Sequence, residues 1–214
     1  MGLAANVGFL AYLLDNDAEG AHYLQGALSA ANRLLAEHGL PAHAEPSTLP
    51  ALKHRARITS FPYSFIHYLR RASAHRRADP GWMATPLAKG EDPTKDPLLD
   101  IEFSSMSSHL ICHADDRGFY LPVDFSNVLV ANDDRTVPGR LLGSSLYLMK
   151  ELIEVAPALG IRLEDGQLTD DEATRIDKRI DADNGLQCEL VSWILLFEYA
   201  RLSIEHRTAI VFGL

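Results

Sequence analysis

Between Ser105 and Ser126 the chain gathers His109, Cys112, His113, Tyr120 and Asp124, its densest run of chemically capable side chains. A carboxylate facing an imidazole fixes its tautomer and raises its basicity. His109 with Asp124 is therefore a candidate general base with its orienting acid, and His113 or Tyr120 a candidate acid or binding group. Ser107 lies two residues before His109, so a Ser-His-Asp set can be written down, but no G-x-S-x-G elbow accompanies it. The plainer reading of the same residues is a polar cross-strand pair on a solvated sheet face.

For these side chains to meet, residues 105–126 must form a β-hairpin turning at Asp115-Asp116-Arg117-Gly118. In that register His109 faces Asp124 and His113 faces Tyr120. Cys112 faces Leu121 and Leu110 faces Val123 on an apolar side. A two-residue loop at Arg117-Gly118 would oppose Ile111 to Asp124 and His113 to Pro122, which sorts polar from apolar less well. Pro122 has no N–H and points either to a sheet edge or to a strand whose N–H side is unpaired there.

The strand geometry also bears on metals. At ~3.3 Å per residue His109 and His113 would lie ~13 Å apart, too far to share one ion. No Glu follows His109 as the zincin pattern requires. No metal and no cofactor is expected. Cys112 reads as a small core residue, as does Cys188 on the last helix. The two cysteines fit no C-x-x-C pattern and read as reduced thiols of a cytoplasmic protein.

Charge is distributed unevenly. The formal net charge is −9, of which −1 falls in residues 1–107 and −8 in residues 108–214. An acidic chain is a poor general ligand for nucleic acid, whose affinity for proteins comes mostly from neutralised phosphates. One segment runs the other way: Lys53 to Arg77 holds seven Lys and Arg and no Asp or Glu. Arg70, Arg71, Arg76 and Arg77 form a candidate patch for an anion or an acidic partner, or else a solvated helix face that pairs with the chain's own carboxylates.

The elements that must position these groups are mostly helices. Asn6 can cap a short helix through Leu14, and a longer one runs from Asp17 with Leu24, Leu28, Ala31 and Leu35 on one face until Gly39 and Pro41. Ser60-Phe61-Pro62 opens a helix ending at Asp79-Pro80-Gly81. Residues 80–100, with Pro80, Pro86, Pro93 and Pro97, read as an irregular loop of the kind that serves as a lid or a partner-binding arm. Asn132-Asp133-Asp134-Arg135 reads as another loop. Gly143-Ser144-Ser145 caps a helix closed by Gly160. Thr169-Asp170-Asp171-Glu172 is a capping box. A buried helix runs from about Leu186, and Ala209 to Phe212 forms a strand.

The expected fold is one α+β domain spanning 1–214, with about six helices around a small antiparallel sheet built on the 105–126 hairpin. No run of 18 apolar residues and no basic N-terminal region occurs, so neither a membrane span nor a secretory signal is expected. The preferred function is a cytoplasmic, non-enzymatic interaction protein that regulates or neutralises another protein; a homo-oligomer stays open. The alternative is a small hydrolase or ligand-binding enzyme on the polar face of the hairpin.

Overall fold

A computed structural model describes residues 2–133 and 137–213, with residues 2–4 described by backbone alone. The chain opens with strand β1 (Gly2–Val7), and Gly8, at φ 71°, turns it into helix α1 (Phe9–Asn16). The Asp17 side chain accepts from the Gly20 N–H and starts α2 (Ala18–Glu37), whose buried stripe includes Leu24, Leu28, Ala31 and Leu35. A proline-containing strap leads to β2 (Ser60–Pro62) and α3 (Ser64–Ala78). Helix α4 (Pro97–Ser105) is followed by β3 (Gly118–Leu121), β4 (Leu129–Val130) and β5 (Leu141–Ser144). The last elements are α5 (Ser145–Val155), α6 (Asp170–Asp181), α7 (Gln187–His206) and β6 (Ile210–Phe212).

The fold is α+β as expected. Among the described residues there are seven α-helices and one sheet of order β2-β1-β6-β3-β5-β4. The sheet is mixed rather than antiparallel. β3 pairs parallel with β5 (Tyr120 opposite Gly143) and antiparallel with β6 (Tyr120 opposite Ile210).

Strand alternation explains why β3 sits at the centre. Phe119 and Leu121 point into a core shared with α1 and α2, and Tyr120 points into the opposite core with α3, α5, α6 and α7. All four residues of β3 are buried. Helix α7 is buried continuously from Glu189 to Ala200, and the Trp193 indole N–H donates to the Leu152 carbonyl at 2.8 Å.

The 105–126 hairpin does not form. Its first arm ends α4 at Ser105 and continues as turns over residues 107–117, so β3 has no partner there and pairs with β5 and β6 instead. Ser60 to Pro62 is a strand rather than a helix start. The irregular stretch is also shorter than expected. Asp92 and Asp96 each accept a backbone N–H at the start of a helical turn, with Pro93 and Pro97 in the first positions. Proline is favoured there because its missing N–H would have no partner anyway. The remaining loop packs on its own fold: Trp82 stacks on His75 at 4.8 Å and the Ala84 N–H donates to the Ala158 carbonyl at 2.9 Å. Of the expected 132–135 loop, Asp134 and Arg135 lie outside the described residues.

Candidate functional site

The turns at 107–117 carry the histidines, and their backbone bonds run to distant side chains. The Glu151 carboxylate, 5% exposed on α5, accepts from the Ser108 hydroxyl (2.7 Å), the His109 N–H (2.7 Å) and the Leu110 N–H (3.0 Å). From the other side Arg70, 2% exposed on α3, donates to the carbonyls of Leu110 (2.9 Å) and His113 (2.7 Å) and pairs with Asp115. The Tyr120 hydroxyl donates to the His109 carbonyl at 2.9 Å. Buried backbone groups must be paired, and here three side chains take the place of a strand ladder.

Within this frame the expected His109–Asp124 pair is absent. His109 is fully buried, between Phe125 and Tyr147 at ring distances of 5.4 and 5.2 Å, and its Nδ1 accepts from the Ser144 N–H at 2.9 Å. Its Nε2 makes no well-formed hydrogen bond among the described residues, although the Phe125 and Ser126 backbone beside the ring favours its protonation against the larger effect of burial, while Asp124 is exposed. Without the hairpin, nothing brings Asp124 across from the imidazole. His113 and Tyr120 do meet, stacked at 4.1 Å and 16°, but His113 has its ring nitrogens against the Ala114 and Phe119 carbonyls at 3.0 and 3.1 Å. Burial pushes both histidines down to about 4 and lifts the Tyr120 hydroxyl above its ordinary value. Burial also raises the Cys112 thiol to about 11. These groups are held neutral in a closed interior.

A pH dependence of stability follows. Unfolded histidines bind protons near 6.5, whereas His109 and His113 do so only near 4. The unfolded state thus holds more protons across that interval, and stability falls as pH drops from 6.5 towards 4. By pH 5 the loss is about 2 kcal/mol per histidine. Burial raises the carboxyls of Glu151 and Glu189, which offsets part of it. Urea unfolding at pH 7 and pH 5 should show a lower midpoint at pH 5, and His113→Asn should shrink the difference. A difference unchanged by that substitution would assign the effect to other groups.

The expected basic patch is occupied internally. Arg71 and His75 hold Asp96 at 3.0 and 2.7 Å, Arg77 holds Glu102 at 3.0 Å, and Arg76 donates to the Pro80 carbonyl. Arg70 is committed to the 107–117 turns. Upstream, Arg55 pairs with Asp170 (2.6 Å) and the buried Glu198 (2.9 Å), and Arg57 pairs with Asp181 (3.0 Å). The cationic segment therefore largely stitches the chain to its own carboxylates. Among the described residues no ion pair is formed by Asp15, Asp17, Glu19, Glu37, Asp100, Asp124, Glu154, Glu164, Asp165, Asp171 or Asp183, so an excess of negative charge faces solvent. Among the described residues there is no group of three or more His, Cys, Asp or Glu arranged to hold a metal ion.

A family model described as "Putative DNA-mimic protein" matches residues 1–212. The chain belongs to this DNA-mimic family. Neither the curated proteins nor the solved structures compared with it gave a match. Family membership corrects the partner reading made from sequence. That reading allowed a protein of any kind and kept a homo-oligomer open, whereas a DNA-mimic family implies interaction with DNA-binding proteins and lends no support to self-association. Among the described residues no helix is long and apolar enough to cross a membrane.

Sequence reasoning missed Glu151 although a signal was present. Glu151 lies three residues after Leu148 and four before Val155, inside the apolar stripe of α5. A carboxylate at such a position needs partners, and the turns at 108–110 supply them.

Proposed function

We propose that this chain neutralises a basic DNA-binding protein by occupying the surface that would otherwise hold DNA. The observation that carries the reading is the DNA-mimic family match across residues 1–212. The charge supports it: a net −9, with nine arginines among the described residues (Arg55, Arg57, Arg70, Arg71, Arg77, Arg117, Arg162, Arg175 and Arg201) drawn into internal ion pairs while many exposed carboxylates form none. Duplex DNA carries one charge per ~1.7 Å of axis, and proteins that bind it do so through Lys and Arg that meet phosphate oxygens. Exposed carboxylates offer those cations the same sign of charge and the same acceptor chemistry. The free thiols Cys112 and Cys188 fit a reducing cytoplasm.

The test is capture on the immobilised chain from a lysate of the source organism, followed by elution with duplex DNA. The expected result is enrichment of DNA-binding proteins that short duplex DNA releases and that dissociate as salt rises. Captured proteins that stay bound under excess DNA, or direct binding of DNA by the chain itself, would overturn the reading.

A further inference from the structure

We infer that the groove between α1 and the 47–52 strap, together with the acidic junction of α1 and α2, is the surface that receives cationic side chains of the DNA-binding partner. The inference rests on the DNA-mimic reading and names its surface. The groove is about 510 Å³ and is lined by Tyr12 and Asp15 on α1 and by Thr48, Leu49 and Leu52 on the strap. Val7, Ala11, Leu49 and Leu52 give it an apolar wall, and the strap packs closely on Gly8. Gly8 has φ +71°, and a Cβ there would lie 2.8 Å from Leu49 Cδ1 and 2.9 Å from Leu52 Cδ1. Tyr12 is 60% exposed and Leu14 on the same helix 42%, large values for such side chains on a two-turn helix.

Charge selects the occupant. Residues 1–32 contain no Lys or Arg, while Asp15, Asp17 and Glu19 are all exposed. None of the three forms an ion pair among the described residues; Asp17 accepts only the capping N–H of Gly20. The exposed Lys53, just past the strap, pairs with none of them either. The other acidic helix, α6, differs. Its Asp170 and Asp181 already hold Arg55 and Arg57, and its Glu172 holds Arg175. Carboxylates that have satisfied an internal arginine offer less to a partner's. Tyr12, Asp15 and apolar side chains in one groove suit an arginine or lysine: the ring face not stacked on Phe9 takes the cation, the apolar wall the aliphatic stem, and the Asp15 carboxylate the charge, with Asp17 and Glu19 adding to the field from the α1–α2 junction.

The experiment uses the full chain and a fluorescein-labelled nonaarginine peptide as a stand-in for a basic DNA-binding surface, read by fluorescence anisotropy at low salt. The triple variant Asp15→Asn, Asp17→Asn, Glu19→Gln is compared with Glu164→Gln, Asp165→Asn, Asp171→Asn, which removes the same charge from the neighbourhood of α6. Asn keeps the cap at position 17. The expected result is an affinity about tenfold weaker for the first triple and changed about twofold or less for the second, with Tyr12→Ala alone costing a further measurable loss. Equal losses from both triples would mean that net charge alone attracts the peptide, and would overturn the surface. No binding of the peptide by the wild-type chain would overturn it as well, leaving capture and release by DNA as the separate test of the DNA-mimic reading.

Discussion

Replacing Glu151 with alanine should destabilise the protein by about 3–5 kcal/mol, the usual cost of stripping the partner from a buried polar cluster. Among the described residues the carboxylate is the sole acceptor for the His109 and Leu110 N–H groups, and it also binds the Ser108 hydroxyl, in a site 5% exposed. Alanine removes the acceptor of all three donors at once. Glu151→Gln retains one carbonyl oxygen but turns an NH2 towards donors, so its loss should be smaller, about 1–3 kcal/mol. Urea unfolding at pH 7 by far-UV circular dichroism measures both. An alanine variant within 1 kcal/mol of the parent would mean that the turns at 108–110 find other partners when Glu151 is removed.

Arg70→Lys is the second large effect, expected to cost about 2–4 kcal/mol although the charge is kept. The guanidinium donates from Nε to the Leu110 carbonyl and from Nη2 to the His113 carbonyl while Nη1 meets Asp115. One ammonium cannot reach all three, so at least one buried carbonyl is left unpaired. Asp115 is about half exposed, and Asp115→Asn should therefore cost about 0–1 kcal/mol. If the two substitutions cost the same, the ion pair rather than the carbonyl bonds would be what anchors the turns.

The sequence was legible where local signals agree with the tertiary outcome. The Asp17 cap and apolar stripe of α2, the Ser144 cap of α5, the Thr169 cap of α6 and the broad apolar stripe of α7 form as their residues dictate, whereas Glu172 turns from the capping box to the Arg162 N–H and Arg175. The hairpin failed because its pattern has two causes. Alternating residues over 109–125 suit a ribbon with one wet face, but the same alternation arises when Tyr120 and Phe119 enter two different cores of one central strand. What decided between them were Glu151 and Arg70, distant in sequence, which supply the backbone partners of 108–113. The prolines at 93 and 97 misled for a related reason: a proline stops a helix in its interior and starts one at its first position. Of the candidate site, the His113–Tyr120 contact was readable, the His109–Asp124 contact was not, and the acidic run at residues 15–19 was overlooked because the more acidic half of the chain lies elsewhere.

The sheet ends in β2 on one side and β4 on the other, strands of three and two residues, and Pro62 removes a donor from the first. Long, flat edges are templates on which further chains can stack; edges this short offer almost no ladder to extend. Like charge on neighbouring copies acts in the same direction, so short edges and a net charge of −9 both oppose the stacking of one chain on another.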